Sequence, residues 1–250
     1  MTVLLLPFAT LVEGDEVSAK LARQVARLIG ADLERACAAH ELKAKYLSSR
    51  GVGRDGKPAL AATTVMPKLS DMVQAGEMYG ADMVCAGQLG IRDRDVHFEV
   101  RLANPKKRDA VQFSKRYETF PSYFFDALEE VKLRITQTLG LTLTDDERVD
   151  LFQRTTESWQ AFLFYLLAED ERYGLTIGIE PLDLLQPIEL YREALEVDPA
   201  FTSAKNALEH YLIMLLQRGD VDAAKLIKSV KSVQQYLSEE LREVLQTLHA

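Results

Sequence analysis

VHFEVRLA, residues 96–103, places apolar residues at every second position from Val96 to Leu102. Such alternation is typical of a strand in an antiparallel sheet that buries one face and leaves the other polar. Polar turn sequences stand on either side of it, RDRD at 92–95 and NPKKRD at 104–109. The stretch therefore predicts the middle strand of an antiparallel meander over residues 81–120, with Phe98 in the core.

The residues before the meander predict the rest of an α/β domain. TVLLLPF (2–8) is a continuous apolar run, which is typical of a strand buried on both faces, and ELKAKYL (41–47) alternates as a second strand. Helical patterns precede and follow the second strand, and a third begins near 122 and runs to a glycine stop at 140. We therefore expect a mixed five-stranded sheet with helices packed on it, in a domain spanning residues 1–140.

The first helical pattern begins after residue 15 and has two distinct faces. Its apolar stripe is predicted to face the sheet, and the opposite face is predicted to be solvated. The stripe contains Val17, Leu21, Val25, Leu28 and Ile29, and the polar face contains Lys20, Arg23, Gln24 and Arg27.

The second half of the chain reads as helical almost throughout. Thr144 and Glu147 form the Thr-x-x-Glu pattern of a capping box, which opens a short helix in a predicted helical linker at 141–157. Residues 158–250 are then expected to form an all-α domain.

One segment of this half resembles the second helix of a tetratricopeptide (TPR) repeat. In PIELYREALEVDPAF (187–201), Pro187, Tyr191, Ala194 and Pro199 follow the small–aromatic–small–proline spacing of that helix, although alanine is usual where Pro187 stands. The preceding ESWQAFLFYLLAE would be the first helix of the repeat, and residues 202–230 resemble a second, more degenerate unit. The resemblance implies a TPR-like helical domain.

The amino-terminal half resembles the TolB-like domain that precedes TPR arrays in many bacterial proteins. That family shows a first strand ending in Pro-Phe, a helix-to-strand passage of the type Leu-Gly-Ala-Asp-Tyr-Val-Leu-Glu-Gly, and a closing helix ending in Leu-Gly. The passage is matched here by Gly80, Ala81, Asp82, Val84 and Gly87. The resemblance implies an interaction module attached to effector domains or contacting envelope proteins, with no catalytic residues to carry over.

The segment GVGRDGKP (51–58) contains Gly51, Gly53 and Gly56 in the spacing of a dinucleotide-binding loop. That fingerprint needs its first glycine at the end of a strand and its third at the start of a helix. Here three residues separate the strand from Gly51, and Lys57-Pro58 follows Gly56. We interpret the segment as a surface connection; the alternative is a sensor or enzyme that binds a phosphorylated small molecule there.

Composition and residue spacing argue against several classes of function. A net charge of −8 argues against a nucleic-acid groove, and no apolar run is long enough for a transmembrane helix. The histidines lack the spacing of metal ligands, and Cys37 and Cys85 are expected to be buried free thiols of a reducing compartment. We therefore expect a cytoplasmic, non-enzymatic protein without metal, cofactor or catalytic residues.

The expected function is that of a protein-interaction or scaffold module, through the TPR-like groove, the α/β domain or both. The first helix of each TPR repeat lines the groove that binds peptide segments. Counting along these helices places six residues there: Gln160, Phe164, Leu167, Asn206, His210 and Ile213. A structural subunit of a larger complex is a further alternative, and a homo-oligomer stays open.

Overall fold

The structure is a computed structural model of the 250-residue chain. It describes residues 1–11, 13–48, 50–52, 58–93, 95–107, 111–179, 183–218 and 223–247. These residues form two units, Met1–Arg154 and Thr155–Ala250.

The first unit is a mixed sheet with helices packed on it, as predicted at this level of detail. The five strands in line follow the order β3-β1-β6-β7-β8, and the short β2 also pairs with β6. β4 and β5 pair antiparallel in a separate two-stranded sheet. The elements are β1 (Thr2–Leu5), β2 (Ala9–Thr10), α1 (Glu16–Ala36), β3 (Lys43–Tyr46), β4 (Arg50–Val52), β5 (Pro58–Leu60), α2 (Leu69–Tyr79), β6 (Met83–Arg92), β7 (Asp95–Ala103), β8 (Val111–Thr119), α3 (Phe124–Thr138) and α4 (Asp145–Phe152).

The apolar run at the amino terminus forms the interior of the sheet. β1 pairs in parallel with both β3 and β6, which covers its two edges. Its faces pack against α1 at Leu5 and against Met72 of α2 at Leu4, so Val3, Leu4 and Leu5 are fully buried. This burial explains why the strand shows no alternation in the sequence.

The predicted meander is present as β6, β7 and β8, which pair antiparallel. Phe98 lies at its centre and is fully buried, with its ring packed against Phe8, Tyr117 and Phe124. Because Phe124 belongs to α3, this aromatic cluster joins the meander to that helix.

The sheet buries both faces, but to different extents. Leu5 lies against α1 at Gly30 and shares a face with Phe98, whereas Met72 of α2 packs against Leu4, Val84 and their neighbours on the other face. Further along the strands, that second face carries polar side chains.

The predicted solvent-facing side of α1 is partly wrong. Arg23 and Gln24 are buried, whereas Val17 of the apolar stripe is exposed. The helix contacts the sheet on one side and both α3 and α4 elsewhere, so more than one face is covered. A charged pair holds this layer together: the Nζ of Lys132 donates to Asp32 at 3.2 Å and to the carbonyl of Leu151 at 2.6 Å.

The second unit is helical in its described part. α5 packs against α6, α6 contacts α7 and α8, and α5 also contacts α7. Its core includes Tyr191, Ala194, Leu208 and Tyr211, all from α6 and α7. The helices are α5 (Trp159–Thr176), α6 (Gln186–Val197), α7 (Thr202–Arg218), α8 (Ala223–Val233) and α9 (Glu239–Thr247).

Candidate functional site

The six residues predicted for binding lie on two helices that contact each other, α5 and α7. The side chain of Ser158 starts α5 by accepting a hydrogen bond from the backbone N–H of Ala161, as an N-cap serine does. Gln160, Phe164 and Leu167 follow on α5, and Asn206, His210 and Ile213 lie on α7.

Exposure divides these residues into two groups. Gln160, Asn206, His210 and Ile213 are exposed, whereas Phe164 and Leu167 are half-buried. Phe164 also packs against the core of the helical unit, so it has a structural role besides any contact with a ligand. We refer to these six positions on α5 and α7 together as the α5–α7 surface.

A buried polar network holds α5 against α6 close to this surface. The hydroxyl of Tyr191 donates to the Oε1 of Glu169 at 2.6 Å, and Arg172 donates to both oxygens of the same carboxylate at 2.9 and 2.6 Å. Burial raises the pKa of Tyr191 well above its ordinary value, and the neighbouring charge of Glu169 raises it further. Tyr191 therefore stays protonated and keeps donating this hydrogen bond.

Contacts between aromatic rings link the three helices α5, α6 and α7. The ring of Tyr165 lies 5.0 Å from that of Phe201 and 6.3 Å from that of Tyr191, and Tyr191 in turn lies 6.5 Å from Tyr211. The hydroxyl of Tyr211 donates to the carbonyl of Leu184 at 2.8 Å. Rings in such contacts hold their rotamers, so the α5–α7 surface rests on a fixed base.

The glycine segment at 51–58 does not lead from a strand into a helix. Gly51 pairs with Ala59 between β4 and β5, and Pro58 begins a strand. Gly53 and Gly56 lie outside the described residues. The described residues on either side pair antiparallel, Arg50–Val52 with Pro58–Leu60.

A polar cluster on the second face of the sheet was not predicted. Glu99 is buried, and its carboxylate accepts hydrogen bonds from Arg101 at 2.7 Å, Arg116 at 2.9 Å and Gln88 at 3.0 Å. Burial opposes its ionised form, but these arginine hydrogen bonds and charges hold the pKa of Glu99 below its ordinary value. The cluster places two arginines around one carboxylate and lies beside a cleft of about 210 Å³.

The sequence did contain a signal for this cluster. The turn at Asp93 pairs Arg92 with Asp95, and extending that register along the strands brings Gln88 opposite Glu99. Positive φ at Asp93 agrees with a tight hairpin turn. Taken singly, Gln88 and Glu99 are ordinary polar positions, and only the pairing of β6 with β7 shows that they lie side by side.

The cysteines and the residue types that bind metals are the remaining candidates for reactive or metal-binding side chains. Cys37 and Cys85 are buried free thiols, and burial raises the pKa of the Cys85 thiol to about 12. Burial also raises the pKa of Cys37. Within the described residues, no group of three or more His, Cys, Asp or Glu side chains is placed to hold a metal ion.

Comparison with known proteins does not identify a family for this chain. No family model and no curated protein matches the chain. Among solved structures, it is similar to the PelC dodecamer from Paraburkholderia phytofirmans, with 10% sequence identity, a TM-score of 0.30, and coverage of 48% of this chain and 71% of that one. This likeness is too distant to support an argument.

In the described part of the chain, no helix is long and apolar enough to cross a membrane.

Proposed function

We propose that this protein is a non-catalytic interaction module whose α5–α7 surface binds a largely apolar segment of a partner protein. The observation that carries the proposal is the position of Ile213. It exposes 40% of its surface on α7, and the half-buried Phe164 and Leu167 lie on the neighbouring α5. Exposed apolar groups on adjacent helices are the anchors that a docked helix or extended segment covers.

The composition of the surface favours a particular chemistry of ligand. Amide and imidazole groups from Gln160, Asn206 and His210 accompany the apolar residues, and the six positions include no lysine or arginine. Apolar anchors beside hydrogen-bonding groups are typical of protein interfaces. A carboxylate-terminated peptide would need basic side chains to hold its charge. An apolar segment is therefore the better match.

The fixed base beneath the surface also supports binding. Tyr191, Glu169 and Arg172 join α5 to α6 through hydrogen bonds. Helices held in this way lose little freedom when a ligand docks, so more of the contact energy contributes to affinity. The proposal includes the TolB-like and TPR-like assignments, which rest on the sequence motifs and on the order of the elements.

The first step of the test finds what contacts the surface. The full-length protein is expressed in its source cells with a photo-cross-linking amino acid at His210, an exposed position on α7. The matched control carries the same amino acid at Val197, which exposes the same 40% as Ile213 but lies on α6. We expect one protein to be captured from His210 and not from Val197.

The second step measures affinity with the captured protein in purified form. Ile213→Glu places a charge among the apolar anchors, so the Kd is expected to rise at least about tenfold, which corresponds to about 1.4 kcal/mol. Val197→Glu makes the same chemical change elsewhere and should leave the Kd unchanged. Equal effects of the two substitutions, with far-UV circular dichroism intact, would contradict the proposal.

Two other functions are tested by separate experiments. A structural subunit would remain in a large complex when a native extract is analysed by size exclusion with light scattering, and Ile213→Glu would not release it. A sensor for a phosphorylated molecule would gain thermal stability from nucleotides, by about 2.7 kcal/mol at 100 times the Kd.

A further inference from the structure

Within the described residues, the sheet of the first unit ends in a long strand. β8 (Val111–Thr119) is the last strand in the order, and its pairing partner within the described part of the chain is β7. A strand in this position presents a row of backbone N–H and C=O groups that can pair with another strand. Nine residues make it one of the longer strands of the sheet.

Charged side chains often protect such edges, and two of those on β8 are paired within the chain. Lys115 donates to both carboxylate oxygens of Glu130 on α3, at 2.8 and 2.6 Å. Arg116 donates to Glu99 on β7 at 2.9 Å. Lys115 therefore offers less repulsion to an approaching strand than a free cation would, whereas Arg116 shares Glu99 with Arg101 and keeps positive charge that an opposite carboxylate can balance.

The shape of β8 restricts where another strand can pair. A register shift between Leu102 and Ala103 interrupts pairing near Val111, whereas residues Phe113–Thr119 pair regularly with β7. Bulges bend a strand and disturb its edge. The regular portion is therefore the surface on which an added strand would fit.

Charge then selects one register for pairing with a second copy. In an antiparallel pair related by a two-fold axis, residues equally far from the axis face each other, and like charges directly opposite are destabilising. An axis at Lys115, Arg116 or Glu118 places that residue opposite itself. An axis at Tyr117 instead places Arg116 of each copy opposite the partner's Glu118, and Tyr117 opposite the partner's Tyr117.

We propose that β8 pairs with β8 of a second copy, antiparallel about a two-fold axis at Tyr117, and joins the two sheets into one. The side chains of Arg116 and Glu118 are each 63% exposed, so both are accessible for pairing across the axis. They also lie on the same face of the strand, two residues apart. The pairing therefore forms two equivalent Arg–Glu contacts.

Disulfide cross-linking tests this register directly. With the axis at Tyr117, Lys115 faces the partner's Thr119 at a Cα separation of about 4.5–5.5 Å, within the range of about 4.4–6.8 Å that a disulfide spans. Full-length protein carrying both Lys115→Cys and Thr119→Cys should therefore form a covalent dimer under mild oxidation. Light scattering of the reduced wild-type protein should show a dimer that dissociates on dilution.

The single variants are the matched controls. In the proposed register, the two copies of residue 115 are about 13 Å apart along the strands, so Lys115→Cys alone should not cross-link. Mixing the two single variants should produce a covalent heterodimer, which repeats the test with one substitution in each copy. Glu118→Arg places Arg opposite Arg116 and should raise the dimer Kd at least about tenfold.

Several results would overturn the proposal. A wild-type protein that is monomeric at every concentration would exclude the dimer. Cross-linking of Lys115→Cys alone would place the axis at residue 115 instead. A dimer in which neither the double variant nor the mixed single variants cross-link would locate the interface away from β8.

Discussion

Replacing Phe98 with alanine tests both the register of the meander and the origin of the stability of the first unit. The Phe98 side chain is 0% exposed. Its ring centroid lies 5.7 Å from that of Phe124, and 5.9 Å from those of Phe8 and Tyr117. Truncation therefore leaves a cavity bounded by the sheet and α3, where three rings lose a shared neighbour.

The expected loss follows from burial and from these ring contacts. Truncating a buried phenylalanine to alanine usually costs about 3–5 kcal/mol of unfolding free energy. Because Phe98 also loses three aromatic partners, we expect the upper part of that range, about 4–5 kcal/mol. Total stabilities of about 5–15 kcal/mol are typical, so the variant should be close to unfolding at room temperature.

His97→Ala is the matched control, since it changes the adjacent residue on the other face of the same strand. Its imidazole lies 3.8 Å from Glu118 in a partly exposed contact, so the expected loss is below about 1 kcal/mol. Urea unfolding followed by circular dichroism measures both changes, with an unchanged m-value as the check for two-state behaviour. Equal losses in the two variants would refute the register, because a one-residue slip exchanges the faces.

Substitutions at three other positions test separate parts of the first unit. Gly76→Ala would place a methyl group 2.2 Å from the Cγ of Pro105, so thermal unfolding should show a net loss of about 1–3 kcal/mol. Lys132→Ala removes the buried partner of Asp32, and urea unfolding should show a loss of about 3 kcal/mol, while Lys132→Met should restore part of it by filling the space. Glu99 has a lowered pKa, so its contribution is complete above its unfolded pKa of about 4.3 and is lost as the pH falls through the folded value. The stability difference between wild type and Glu99→Gln, measured by urea unfolding, should therefore shrink as the pH falls below about 4; a constant difference would contradict this role.

The six positions proposed for binding come from helical spacing alone, and their role in binding stays a prediction. Helical spacing on α5 and α7 selects six positions, and four of them are exposed: Gln160, Asn206, His210 and Ile213. The same counting did not distinguish Phe164, which is half-buried against the core. Spacing along one helix gives the direction of a side chain, but burial depends on what lies opposite.

The sequence by itself determined the local structure of this protein. The alternation around Phe98, the unbroken apolar run of β1 and the capping box at Thr144 each depend on residues close together in the chain, and each is present in the structure. Periodicity and capping act within a few residues, so a single sequence contains the information needed to read them.

Only the tertiary structure decided which polar residues are buried. Arg23 and Gln24 look like solvent-facing positions in the sequence but are buried in the fold, and Glu99 looks like one until Arg116 is brought to it from a neighbouring strand. A buried charge is stable where partners from distant parts of the chain satisfy it. Those partners meet through strand register and layer order, which no local pattern contains.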